Sequence, residues 1–320
     1  MKYNLNLNWT CNGKAVDLPH DAMLEEQREA DCRNGVNSGY FPGGKYTYEK
    51  TFAVSEADIG KKLVLHFEGV YQNSLIYLNG TQVGAHKYGY TAFDVNISKA
   101  VQAGANQLRV EVDNSLEPNC RWYSGSGIYR PVTLLIDELE APQIVTQSYA
   151  PAVIEVTADA EAVEIYDGET LVASGVPGEI TVPNAKLWTA ENPNLYTCVI
   201  RKDGKEHRTD FGIRLLTWDA KNGLCVNGER ILLRGGCIHH DHGVLGACDF
   251  YDAEYRRISI LKENGFNALR MAHNPATQIT LDICDKLGMY VMNETFDGWY
   301  IPKTYHDYAR WFDAKWKDDM

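Results

Sequence analysis

The chain has 320 residues, a formal net charge of −12 and 44% apolar residues. That length exceeds what one hydrophobic core usually supports, so two or three domains are expected. The acidic balance excludes a nucleic-acid backbone or an anionic membrane surface as the natural partner.

The amino-terminal MKYNLNLNWTCNGK lacks the uninterrupted apolar stretch of a signal peptide. No run of about 18 apolar residues occurs, so no membrane-spanning helix is expected. The eight cysteines are scattered without a C-x-x-C pair, which argues against zinc-finger or thioredoxin spacing. Free thiols without a visible export signal lead to the expectation of a reducing, cytoplasmic setting.

Up to about residue 216, short runs alternate apolar and polar residues between hairpin signals. Asn79-Gly80 separates SLIYL from TQVGAH, Asp167-Gly168 separates AVEIY from ETLVAS, and Asp203-Gly204 separates TCVIRK from KEHR. These dipeptides tolerate the positive φ that a two-residue hairpin demands. With the strand-like KLVLHFEGV and NQLRVEVDN they predict β-sandwiches, divided near Ala141-Pro142 into a jelly-roll-sized unit and a smaller immunoglobulin-like one.

From residue 217 the pattern becomes strand, helix, strand, helix. ILLRGGCI reads as a continuous apolar strand. DFYDAEYRRISILKENG reads as a helix with Asp249 as N-cap and a stripe of Tyr251, Tyr255, Ile258 and Leu261. FNALRMA and MYVMNE are further strands. TQITLDICDKLG carries Ile279, Ile283 and Leu287 on one helical face, and HDYARWFDAKW carries Tyr308, Phe312 and Trp316. Successive βα units predict a parallel sheet covered by helices.

In such sheets functional side chains gather at the carboxyl ends of the strands. Three polar clusters occupy those places: His239 to His242 after the first strand, Arg270, His273 and Asn274 after the second, and Glu294, Asp297 and Trp299 after the third. The His-His-Asp-His run offers metal-ligand chemistry, but neighbours in an extended chain point to opposite faces and cannot converge without a sharp turn. A pocket wall is the expected role, and no metal or cofactor is expected. Glu294 and Asp297 lie too close in one loop to straddle a sugar as a catalytic pair. Asn114–Pro131 flanks an arginine with aromatics, which suits either sugar stacking or a structural corner filled by Trp122 and Tyr129.

Read in order, a series of segments resembles the N-terminal part of glycoside hydrolase family 2, the family of β-galactosidases, β-glucuronidases and β-mannosidases. They include LPHDA (18–22), GKYTYEKTF (44–52), RWYSGSGIYRPV (121–132), LWTAENPNLY (187–196), RGGCIHHDHGVLGA (234–247), NALRMAHNP (267–275) and DICDKLGMYVMNETFDGW (282–299). The resemblance implies a jelly-roll sugar-binding domain over 1–139, an immunoglobulin-like β-sandwich over 140–216, and the first part of a (β/α)8 TIM barrel over 217–320. It also implies a retaining mechanism with two glutamates at the fourth and seventh barrel strands. Asn293-Glu294 falls at the third strand, so both catalytic glutamates are expected beyond Met320 and the chain alone is expected to be inactive.

The resemblance further implies that Arg270, His273 and Asn274 line a sugar pocket. His240, Asp241, Glu294 and Asp297 occupy matching rim positions, and Asn119 and Arg121 reach toward the barrel mouth. With Trp299 these ten residues are the expected carbohydrate contacts. HHDHG and RWYSGSGIYR look most like the β-galactosidase branch, so a terminal β-galactoside is the expected substrate. A β-glucuronidase, a β-mannosidase and a stand-alone carbohydrate-binding protein are the alternatives. An unclosed barrel leaves a sheet edge and an apolar interior bare, to be covered by self-association, a partner or docking on the sandwiches.

Overall fold

The computed structural model describes residues 1–320. Alternation along Lys45–Val54 turns Tyr46, Tyr48, Phe52 and Val54 inward. This strand lies inside a six-stranded antiparallel sheet ordered Lys14–Val16, Trp9–Cys11, Lys45–Val54, Gly104–Asp113, Ser74–Leu78, Thr81–His86. A four-stranded sheet of Lys2–Asn4, Val132–Ile136, Leu63–Phe67 and Phe93–Asn96 completes the jelly roll. Its core draws on residues from Leu5 to Ile136.

The second sandwich packs Gln143–Tyr149, Ala152–Thr157 and Gly178–Thr181 against a sheet of Thr170–Gly175, Ala162–Asp167, Tyr196–Lys202 and Lys205–Phe211. Its core spans Ala152 to Ile213. The hairpins at Asn79-Gly80 and Asp203-Gly204 have positive φ at both positions. At Asp167-Gly168 the turn moves one residue on: Asp167 stays in the strand opposite Thr170, after a register shift at Ile165/Tyr166.

A small antiparallel meander (Leu216–Asp219, Gly223–Val226, Glu229–Arg230) leads into the barrel unit. There β1 (Gly235–Ile238), α1 (Tyr251–Glu263), β2 (Ala268–Met271), α2 (Gln278–Leu287), β3 (Tyr290–Asn293) and α3 (Ala309–Lys315) follow one another. The strands pair in parallel, with Cys237, Arg270 and Met292 in one register row. Leu269 and Met271 point the other way, onto Ile258 of α1 and Ile283 of α2. Helices therefore cover one face of this sheet. The face that fills the interior of a closed barrel is open, with Met292 55% exposed.

Three expectations change here. Only Gly235–Ile238 of ILLRGGCI forms a strand of the parallel sheet, and Leu232 and Leu233 lie exposed before it. The cap of α1 is Phe250 without a side-chain hydrogen bond, because the Asp249 carboxylate turns into the buried junction with the jelly roll. Tyr251 and Tyr255 stack on each other at the surface, leaving Ile258 as the buried residue of that stripe.

The immunoglobulin-like sandwich meets the barrel unit through Trp188, whose indole N–H donates to Asp285 O (2.8 Å). Lys262 closes the same junction by donating to Ala190 O and Gly288 O. Gly288 ends α2 in the left-handed region (φ +75°), and a Cβ there would lie 2.2 Å from Ala190 O. Gly265 has a similar φ (+85°) with nothing within 4 Å of such a Cβ. Gly265→Ala is expected to cost only the left-handed penalty of about 1–2 kcal/mol. Gly288→Ala adds about 1–3 kcal/mol of overlap, and denaturant midpoints of the two variants should differ in that order.

Candidate functional site

At the carboxyl end of the parallel sheet, β2 delivers Arg270 to the open face and the loop after it delivers His273. The loop after β3 brings Glu294 between them. Arg270 pairs with Glu294 Oε1, and His273 Nδ1 lies 2.9 Å from Glu294 Oε2, so both carboxylate oxygens are engaged. Arg270 Nη1 also donates to Cys237 Sγ (3.2 Å), its register neighbour on β1. This triad is the centre of the site.

The jelly roll supplies the opposite wall. Trp122 stacks on His239 (centroids 5.3 Å, 9° between planes) and tilts against His273 (5.4 Å). Arg121 reaches across to pair with Asp297 through both its Nε and Nη2 groups, a link between residues 176 positions apart. An aromatic wedge of Tyr88, Tyr90, Phe296 and Phe312 seals the junction beneath. Tyr88 Oη donates to Thr295 O. A cleft lined by Trp122, His273, Asp297, Trp299 and Tyr308 runs between the two domains. Trp299 is 51% exposed and lines it.

Asp21, from LPHDA, holds the wall in place. Its Oδ1 accepts from the backbone N–H of Met23 and Ser126, and its Oδ2 from Ala247 N–H and the Tyr123 hydroxyl. Burial pushes this carboxyl up and the four donors pull it back. Gly125 and Gly246 pass close enough that a Cβ on either would strike the carboxylate.

The cleft is lined by Arg121, His273, Asp297 and Trp299, and Arg270 and Glu294 join it through the contact of Glu294 with His273. Asp241 lies partly buried on the rim, with its backbone carbonyl held by Arg257. Three expected contacts turn their polar atoms elsewhere. Asn119 borders the cleft, but its amide donates to Asn114 Oδ1 and Leu116 O and accepts from Tyr71, inside the sandwich. Asn274 is buried and donates to Pro275 O, away from the triad. His240 bonds Ser124 O through Nε2 beneath Tyr90 and Tyr129, and burial lowers its pKa to about 3. Cys237 was not among the expected residues, since its placement depends on strand register, and His239, expected as part of the pocket wall, gains its stacking partner Trp122 from another domain.

Two β-sandwiches feeding a parallel βα unit, with polar residues at the strand ends and a sandwich loop closing over them, define a sandwich-walled TIM-barrel protein. Three models of one family match it: "Glycosyl hydrolases family 2, sugar binding domain" over 36–137, "Glycosyl hydrolases family 2" over 133–214 and "Glycosyl hydrolases family 2, TIM barrel domain" over 220–304. The chain belongs to glycosyl hydrolases family 2. It is 36% identical to the β-galactosidase BoGH2A of Bacteroides ovatus, over 96% of this chain and 40% of that protein. It is 35% identical to a putative β-glucuronidase of Formosa agariphila, over 95% of this chain and 32% of that protein. A solved family 2 member from Bacteroides cellulosilyticus matches with a TM-score of 0.93 and 34% identity, over 99% of this chain and 49% of that one. The chain spans less than half the length of these relatives.

Asp21→Asn sets an amide NH2 against groups that are all donors, and a loss of about 1–3 kcal/mol is expected in chemical denaturation. His240 is neutral when folded, and its depressed pKa fixes the sign of a pH effect. Stability is intact above about pH 6.5 and falls as the pH drops toward the folded value, because the unfolded chain takes up the proton first. His240→Gln should flatten this part of the curve of denaturant midpoint against pH.

Proposed function

We propose that this chain is the N-terminal part of a retaining exo-β-glycosidase that acts on terminal β-galactosides. One observation carries the reading: Glu294, the acid at the centre of the site, has both oxygens occupied by Arg270 and His273. Paired with Arg270 on one oxygen and lying against His273 Nδ1 on the other, Glu294 is held as the link between these two side chains at the strand ends. Its role is to fix Arg270 and His273 as part of the sugar-pocket wall, while the two carboxyl groups of the retaining mechanism come from chain beyond residue 320. The length of the relatives supports that division.

The choice of sugar rests on charge. Arg121 faces the cleft already paired with Asp297, and Arg270 already pairs with Glu294. The charge of each guanidinium is already balanced by a carboxylate, so no net positive charge faces the cleft to attract a uronic acid, which favours a neutral hexose. Trp299 adds to the cleft lining an aromatic side chain suited to the apolar C–H surface of such a ring.

Turnover of nitrophenyl β-glycosides by the purified 320-residue chain tests the first part. None is expected with any sugar, and turnover abolished by Glu294→Gln would place the chemistry inside this chain and overturn the reading. In a protein carrying the whole barrel, kcat/KM for the β-galactoside should exceed that for the β-glucuronide by at least about a hundredfold, roughly 2.7 kcal/mol. The reverse order would overturn the assignment of a neutral sugar.

A further inference from the structure

Where the loop after β1 meets the first turn of α1 and the jelly-roll segment at Tyr129, a polar cluster lies that the cleft does not use. His242, Asp249 and Glu254 each bring a ligand atom within 4.8 Å of the others. Asp249 is 4% and Glu254 1% exposed. Glu254 Oε1 accepts from Arg257 Nη2 (2.6 Å) and faces His242 Nε2 (2.9 Å). Its Oε2 and both oxygens of Asp249 are buried without a partner at hydrogen-bond distance, the Thr277 hydroxyl being the one polar side chain drawn toward Asp249. Arg130, whose charge attracts Asp249, spends its donors on Glu68 O, Tyr90 O and Pro275 O and bonds neither acid.

Two carboxylates sharing a buried space, with three oxygens unbonded, repel each other and have lost their water. Glu254 is met by Arg257 and His242 on Oε1 only, and Asp249 has no bonded cation, so part of this buried negative charge is left unmatched. A cation between them removes both penalties, and an imidazole at the same distance supplies a third ligand.

We propose that His242, Asp249 and Glu254 bind one divalent transition cation, of the Mn2+ or Zn2+ class, that locks the barrel's first loop to α1. Oxygen donors alone would suit Ca2+ or Mg2+, but one nitrogen in a set of three favours the transition ions. Asp249 and Glu254 Oε2 supply the negative charge, His242 turns its ring lone pair to the ion, and Arg257 stays on Glu254 Oε1. Of the His-His-Asp-His run only the last histidine takes part, because Gly243 and Gly246, both at positive φ, fold the chain back so that Asp249 can join it. Through Asp249 N–H, which donates to Tyr129 O (3.2 Å), the same ion braces the jelly roll against the barrel.

The test uses the 320-residue chain, stripped with a chelator and dialysed. Calorimetry with Zn2+ and electron paramagnetic resonance with Mn2+ should show saturable uptake of one ion per chain and a higher thermal midpoint on loading. Asp249→Asn and Glu254→Gln should abolish uptake, and His242→Gln should weaken Zn2+ binding at least about tenfold. Absence of saturable uptake by the wild-type chain, or uptake undiminished in the folded Asp249→Asn variant, would overturn the proposal and leave an ion-pair network with water. Tighter binding of Ca2+ or Mg2+ than of Mn2+ or Zn2+ would overturn the assigned class. Should the variants fail to fold, the visible absorption of the Co2+-loaded wild-type chain decides. Bands of a nitrogen-containing ligand set support the site, and the spectrum of aqueous Co2+ overturns it.

Discussion

The carboxylate of Asp21 is the constraint on which the site depends. It is buried, and it accepts hydrogen bonds from the short helical turn that follows it, from the sandwich loop at Tyr123 and Ser126, and from the barrel loop at Ala247. A buried carboxylate without donors is expensive, so the three segments have to meet where they do. Trp122 sits one residue from the gripped loop, and its stacking on His239 inherits that precision. The cleft wall is thus fixed from the back, by a residue that touches nothing in the cleft.

The barrel half of the site follows from strand geometry. Parallel pairing sets Cys237 beside Arg270 and Met292 on one face, and gives Leu269 and Met271 to the helices. Arg270 therefore points into the open interior, at the level where the following loops carry His273 and Glu294. Alternation along the strand and the convergence of loops at its carboxyl end are enough to assemble the triad. The aromatic wedge and the Arg121–Asp297 pair then attach this unit to the jelly roll.

How much of this was legible in the sequence depended on the range of the interactions involved. Hairpins at Asn79-Gly80 and Asp203-Gly204 were readable because the turn is local, and the βα units because their period and end signals are local. Arg270, His273 and Glu294 were found because strand ends concentrate chemistry. Asp249 was misplaced because its capping preference is weaker than the pull of a buried, charged junction from another domain. His240 and Asn119 were expected in the pocket because of the family positions they match, whereas His240 bonds the Ser124 carbonyl far away in the chain and Asn119 bonds inside its own sandwich. Trp122 suited both a corner and a pocket; it turned out to stack on His239 and line the cleft at once. Cys237 gained its neighbour only from the strand register.

The wedge of Tyr71, Tyr88, Tyr90 and Trp122 against Phe296 and Phe312 joins residues more than half the chain apart. The jelly-roll core needs nothing beyond Ile136, so that domain can fold early as the chain leaves the ribosome. Its aromatic flank then waits, uncovered, until the residues around Phe296 and Phe312 have been made. During synthesis the surface that will become the seam of the cleft is a sticky one, and the nascent protein is most exposed to misassociation in the interval between its first domain and its third.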